Sequence, residues 1–364
     1  MKEKLNPIRL AYYITAHGFG HAVRSLEVIR HLLKQSPNSE IVIVSMIPEF
    51  LIAENLGTSM PIRRRSLDVG LVQEDSIQFD LDATLREIQF LHNKQDTLVA
   101  EEVAFLKAQR VQGIVCDIPS LPFAAALKLG IPSIGISNFT WDWIYQAYAN
   151  SDSRWLPLVN WMRRSYKECT LFLQLPMHGD CTSCPTIQDV PLIARRAKST
   201  REETREILGL GSEVKTYLIS FVALDLNEEA ERRLRNMSEI AFLYKRPLRL
   251  NFGTCLDDFD VSYTDVVTAV DGVVTKPGYG IVSECLVNNT PIIYTDRGYF
   301  PEYDILVQEM TKYLPTSYIS SSDLYAGRWE SAIGDLDKQP PRISTIPSNG
   351  AEICARTVQS LLTA

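Results

Sequence analysis

The pentapeptide Lys276-Pro277-Gly278-Tyr279-Gly280 joins a cation to two glycines, and Ser283 and Glu284 follow within about a turn of helix. Residues 271–275, with Val273 and Val274, precede it and read as a strand; residues 281–287 read as a helix. Glycines let a backbone approach a ligand closely, and a helix start offers unpaired N–H groups with a partial positive charge. This turn therefore suits a diphosphate, with Lys276 adding charge. Glu284 is placed to accept hydrogen bonds from the two adjacent hydroxyls of a ribose. A second set of titratable residues, His17 and His21 in the turn His17-Gly18-Phe19-Gly20-His21, follows the apolar run 10–15. Asp117 closes another apolar run, 111–116.

These residues need elements to position them. The runs 10–15, 41–46, 111–116, 134–137 and 172–175 are short and apolar, as strands buried on both faces are. Val23, Leu26, Ile29, Arg30 and Leu33 mark a helical stripe after the first run, and residues 121–129 form a helix stopped by Gly130. Strand, helix and strand in alternation predict a parallel sheet. Residues 176–196, with prolines and two cysteines, read as a linker. Beyond it, Thr200-Arg201-Glu202-Glu203 resembles a capping box opening a helix to Leu208. Strands at 217–221, 247–252, 272–275 and 292–295 make a second parallel sheet, with helices at 227–235, 282–287 and 303–311. A last helix, with Asn349 as its N-cap, reaches Leu362 and is expected to pack back on the first domain. The expected division is 1–175, a linker at 176–198, a second domain at 199–348 and the helix at 349–364. The fold class is α/β, two doubly wound domains facing a cleft. In open parallel sheets ligands bind beyond the carboxyl ends of the strands, and His17, His21, Asp117 and Lys276 to Gly280 all fall there.

Composition excludes some functions. The chain has 364 residues and a net charge of −7, which argues against a nucleic-acid binder needing a basic face. The arginine cluster at Arg63-Arg64-Arg65 reads as a solvated loop. The opening residues are polar with no apolar signal segment after them, and the seven cysteines are scattered, which predicts reduced thiols in a cytoplasmic protein. No apolar stretch is long enough to span a bilayer. His178, Cys181 and Cys184, with Cys169, have zinc-ligand types, but free thiols in a linker are the expectation. The segment Trp155-Leu156-Pro157-Leu158-Val159 beside Arg163-Arg164 combines apolar and basic residues as a membrane-surface contact would; a buried contact between domains is expected instead.

Residues 271–294, with Lys276-Pro277-Gly278-Tyr279-Gly280, Ser283-Glu284 and Asn289-Thr290-Pro291, resemble the donor-binding motif of GT-B glycosyltransferases. A closer likeness is to the glycosyltransferase-like N-terminal region of plant arabinokinases and its free-standing bacterial relatives. It extends to residues 17–24, 137–145 and 189–195. The resemblance implies two Rossmann-like domains of the GT-B kind and a nucleotide-sugar donor, uridine- or thymidine-linked, as substrate with no separate cofactor. It implies Glu284 on the donor ribose, Gly278, Tyr279, Gly280 and Ser283 around the diphosphate, and Phe300 and Glu302 near the donor sugar. It also implies His21 as the base that deprotonates an acceptor hydroxyl, Asp117 as its orienting carboxylate and His17 as a second candidate. Transfer would then proceed with inversion and without a divalent metal. Trp141 and Asp142, after the strand at 134–137, are expected to line the acceptor side. The chain departs from the family pattern at Ser220-Phe221-Val222-Ala223-Leu224, where a glycine pair is usual, and at Lys276, where a histidine is common. The alternatives on the same scaffold are a nucleotide-sugar hydrolase or epimerase, and a non-catalytic nucleotide-sugar-binding module.

Overall fold

A computed structural model describes residues 7–74 and 77–363, and the chain divides into two compact units. The first comprises Met1–Val72, Asp80–Ala194 and Pro347–Ala364; the second comprises Gln73–Phe79 and Arg195–Ile346.

Seven strands build the sheet of the first unit: β1 (Arg9–Ile14), β2 (Glu40–Val44), β3 (Ile62–Arg63), β4 (Gly113–Asp117), β5 (Ser133–Ser137), β6 (Leu171–Gln174) and β7 (Ile187–Asp189). They lie in the order β3-β2-β1-β4-β5-β6-β7, and every pairing is parallel. β4 and β5 are buried along their whole length, as their unbroken apolar character requires. The order reverses between β1 and β4, so His17 and His21, which follow β1, and Asp117, which ends β4, meet at the topological switch point.

The second unit repeats the plan with β8 (Lys215–Ser220), β9 (Ile240–Tyr244), β10 (Thr254–Cys255), β11 (Gly272–Thr275), β12 (Ile292–Tyr294) and β13 (Thr316–Tyr318). The order is β10-β9-β8-β11-β12-β13, again all parallel. Its switch point lies between β8 and β11, which places Ser220 and Lys276 at adjacent strand ends. Tyr217, Ile219, Phe242, Val274, Ile293 and Trp329 lie in one buried cluster against this sheet.

Several elements differ from expectation. The strand expected at 247–252 is irregular chain; the strand is β9. Leu248, Leu250 and Phe252 alternate as a strand's inner face would, and all three are buried, but Pro247 has no N–H to give a ladder. The stretch read as a linker supplies β7, an edge strand whose three residues are all exposed and so carry no apolar signal. The helix Phe19–Gln35 buries Ala22, Arg24, Ser25, Leu26, Ile29 and Leu32. That face is rotated from the stripe read in the sequence, because Arg24 and Ser25 face inward. Trp155 is buried within the first unit, its ring centroid 5.4 Å from Tyr145 and 5.3 Å from Tyr148, so the expected contact between domains is an internal one. Arg63 and Arg65 pair with Glu102 and Glu101, and Arg64 pairs with Glu49. Among the described residues no helix is long and apolar enough to cross a membrane.

The helix Gly350–Thr363 belongs to the first unit. Leu192 N–H donates to Pro347 O at 3.0 Å, and Gly350 N–H donates to Leu192 O at 3.1 Å. A Cβ on Gly350 would stand 1.9 Å from Pro191 O, so the chain must shift if one is added. Gly350→Ala is expected to lower stability by about 1–3 kcal/mol, measured as a fall in the denaturation midpoint at unchanged m-value.

Candidate functional site

At the switch point of the first unit the sequence brings a histidine, an arginine and a serine onto one face of the helix Phe19–Gln35, at His21, Arg24 and Ser25. All three reach Asp117. His21 Nδ1 lies 2.8 Å from Asp117 Oδ1. Arg24 donates from Nη2 to Oδ1 at 2.6 Å and from Nε to Oδ2 at 2.7 Å. Ser25 Oγ donates to Oδ2 at 2.8 Å. Arg24 also donates to Asn138 Oδ1 and to Ser137 Oγ, both at 2.8 Å. Arg24 and Asp117 are 3% and 1% exposed, so this is a buried ion pair with its hydrogen bonds supplied.

The geometry sets the tautomer of His21. Arg24 Nη2 is 2.9 Å from His21 Nδ1, but its two protons are used on Asp117 and Ser137. The carboxylate can only accept, so we assign the Nδ1 proton to the bond with Asp117. Nε2 is then left as the ring's acceptor. Burial alone would raise the Asp117 pKa; Arg24 and His21 together hold its carboxyl well below the usual carboxylate range. On the same helix burial likewise opposes the ionisation of Glu27, yet its bonds to Arg30 and His31 pull it down to about 2. Both carboxylates bind fewer protons folded than unfolded at mildly acid pH. Their contribution is therefore present above the unfolded pKa, near about 4, and is lost as pH falls toward the folded values. Stability measured by denaturant is expected to fall steadily from about pH 5 to pH 3.

His17 sits beside this cluster. Its Nε2 is 3.9 Å from Asp68 Oδ1, and Trp141 Nε1 donates to Asp68 Oδ2 at 3.0 Å. Burial lowers the His17 pKa, more than Asp68 raises it, which keeps the ring neutral at neutral pH. Trp141 is 3% exposed and stacks on Tyr145, the planes 14° apart. Asp142 is also 3% exposed; burial pushes its carboxyl up, and Ser183 Oγ donates to it at 2.6 Å. The aromatic segment expected at the acceptor side thus packs against His17 through Trp141, and Trp141 and Asp142 are both buried. Cys169, Cys181 and Cys184 are buried free thiols. Among the described residues no group of three or more His, Cys, Asp or Glu side chains is arranged to hold a metal.

In the second unit Gly278 caps the helix Tyr279–Asn288, whose first turn carries Tyr279 and Gly280 with their amides at the helix start. Ser283 is fully buried, and its Oγ has no protein partner among the described residues. Thr295, just beyond β12, is in the same position. Glu284 is 4% exposed and pairs with Arg195, whose Nε and Nη2 lie 2.6 Å from Oε1. Arg297 Nη1 donates to Pro277 O at 2.7 Å and to Glu302 Oε2 at 2.9 Å, and its guanidinium lies 4.2 Å from the Phe300 ring centroid. Phe300 and Glu302 are thereby tied to the Lys276–Gly280 loop. Val222 and Ala223 are exposed beyond β8.

The chain has the GT-B glycosyltransferase fold. It superposes on the UDP-glucosyltransferase of Polygonum tinctorium complexed with 3,4-dichloroaniline, with a TM-score of 0.62, 12% identity and all of both chains covered. It superposes on the glycosyltransferase of kitacinnamycin with a TM-score of 0.60, 15% identity, and 98% and 95% of the two chains covered. The L-arabinokinase of Arabidopsis thaliana is 28% identical over 357 residues, 96% of this chain and 34% of that protein. The chain thus spans about a third of the length of the curated relative it matches. No family model matches it.

Arg24, Asp68, Arg195 and Arg297 were not among the candidate residues read from the sequence. Arg24 shares its buried helix face with Ser25 and Glu27, so the apolar stripe did not mark it. The partners of Asp68 and Arg195 come from distant segments, while Arg297 pairs with Glu302 only five residues on.

Proposed function

We propose that the protein is an inverting glycosyltransferase using a nucleoside-diphosphate sugar, uridine- or thymidine-linked. His21 Nε2 takes the proton of an acceptor hydroxyl. The hydroxyl oxygen bonds to the anomeric carbon as the bond from that carbon to the diphosphate oxygen breaks, and nucleoside diphosphate leaves. Asp117 holds the imidazole in its tautomer and offsets the charge it gains. In the second unit the amides at the start of the helix Tyr279–Asn288 and Lys276 meet the leaving diphosphate. Glu284, steadied by Arg195, faces the ribose, and Phe300 and Glu302 serve the sugar. The observation that carries this reading is the 2.8 Å contact of His21 Nδ1 with the buried Asp117 at the switch point of a GT-B unit. The UDP-glucosyltransferase among the structural neighbours supports a nucleotide-sugar donor.

A thermal-shift panel of nucleoside diphosphates and their sugars tests the donor. A ligand that binds only the native state raises the melting temperature by mass action, about 2.7 kcal/mol at a hundredfold excess over Kd. At least one uridine or thymidine diphosphate is expected to raise it; no response from any member would remove the reading. The exposed Val222 and Ala223 favour a second reading, a binding module without transfer. Binding of a nucleotide sugar with no nucleotide release, whether hydroxyl acceptors or water are supplied, would select it.

A further inference from the structure

His17 is held more deliberately than a surface histidine needs to be. Gly70 has a φ of +67°, and a Cβ there would stand 2.3 Å from His17 Cγ, so the ring lies directly against the Gly70 backbone. Tyr145 Oη fixes that backbone by donating to Gly70 O at 2.8 Å. Trp141 meets the His17 ring edge-on, centroids 6.1 Å apart, while its indole N–H fixes Asp68. Phe139 stands 5.2 Å from Trp141 and 5.7 Å from His21, centroid to centroid. The two imidazoles therefore flank one aromatic pair on the same wall.

They differ in charge environment and access. Asp117 is bound by Arg24 through two bonds and by Ser25, so its charge is already offset. Asp68 is 7% exposed; among the described residues no lysine or arginine pairs with it, and its side-chain partners are the neutral indole of Trp141 and His17. The His17 side chain is 33% exposed against 13% for His21, so His17 offers more of its ring to a ligand. We propose that Asp68 is a positioning residue for His17, and that His17 is a second acceptor-binding imidazole that hydrogen-bonds a hydroxyl-bearing acceptor presented to His21. The acceptor part rests on the transferase reading above; the pairing of Asp68 with His17 does not.

The charged and titratable groups facing His17 are Asp68 and His21, with Arg24 and Asp117 behind the latter. The first experiment needs no substrate: histidine ring resonances of the full chain are titrated by NMR in the wild type and in Asp68→Asn. Asparagine keeps an oxygen for Trp141, removes the charge and turns an NH2 donor toward His17 in place of an acceptor. The His17 midpoint is expected to fall in the variant, since the Asp68 carboxylate 3.9 Å away stabilises the imidazolium. An unchanged midpoint in a folded variant overturns the pairing. The second experiment follows nucleotide release from UDP- and TDP-sugars with glycerol as the hydroxyl probe. His17→Asn, and Gly70→Ala, which pushes the ring out of its slot while leaving Asp68 intact, are expected to raise the KM for glycerol about tenfold, the worth of one good hydrogen bond, at nearly unchanged kcat. A kcat loss as large as that of His21→Ala, or no change in KM, overturns the acceptor role. If the wild type releases no nucleotide from any sugar, the transferase reading and the acceptor role fall together, and the titration still decides the pairing.

Discussion

Replacing Arg24 with methionine is expected to cost the first unit about 3–5 kcal/mol of stability, because it strands the carboxylate of Asp117 in the interior. Methionine fills much of the same volume without charge, so packing is not what the substitution removes. The penalty comes from the carboxylate, which keeps His21 and Ser25 as partners but loses the buried cation beside it. The double variant Arg24→Met with Asp117→Asn removes the stranded charge and should recover much of the loss. Denaturant unfolding of the two single variants and the double variant makes a thermodynamic cycle. A single Arg24→Met variant within about 1 kcal/mol of wild type would show that the pair is not the buried anchor that its 2.6 and 2.7 Å bonds imply. The result bears on function because the same carboxylate orients His21.

The second large effect is on chemistry. His21→Ala is expected to slow transfer about 10²–10⁴-fold, the usual contribution of a positioned base. Nucleotide binding should change little, since the residues proposed for the donor belong to the other unit. Single-turnover release of nucleotide measures the first quantity, and the thermal shift with nucleoside diphosphate the second. Transfer at the wild-type rate in His21→Ala would eliminate the imidazole as base. Equal losses of binding and rate would place His21 in the donor site instead.

The parts of this site that were legible in the sequence share a physical cause. The strands ending at Ile14, Asp117, Ser137 and Thr275 are buried on both faces and read as unbroken apolar runs. Where those runs stop, the chain must leave the sheet at its carboxyl edge. The positions of His17, His21, Asp117 and Lys276 along the chain therefore assign them to that edge. The capping box at Thr200 and Glu203, present with both of its bonds, was legible because its partners are three residues apart. The strand β9 and the edge strand β7 were missed for the opposite reason. One stood beside a better-looking alternation at Leu248, Leu250 and Phe252, and the other has no buried face.

The sequence by itself determined the strand–helix alternation, the glycine turn before the helix Tyr279–Asn288 and the presence of histidines at a strand end. These follow from local periodicity and backbone freedom. Only the tertiary structure decided what each ionisable group is bonded to. Arg24 lies 93 residues from Asp117 along the chain, and Arg195 lies 89 from Glu284. Trp141 lies 73 from Asp68, and Gly70 is set against His17 by a turn at positive φ. Charge compensation and tautomer depend on distances of a few ångströms between such remote segments, and composition and spacing along the chain do not encode those distances.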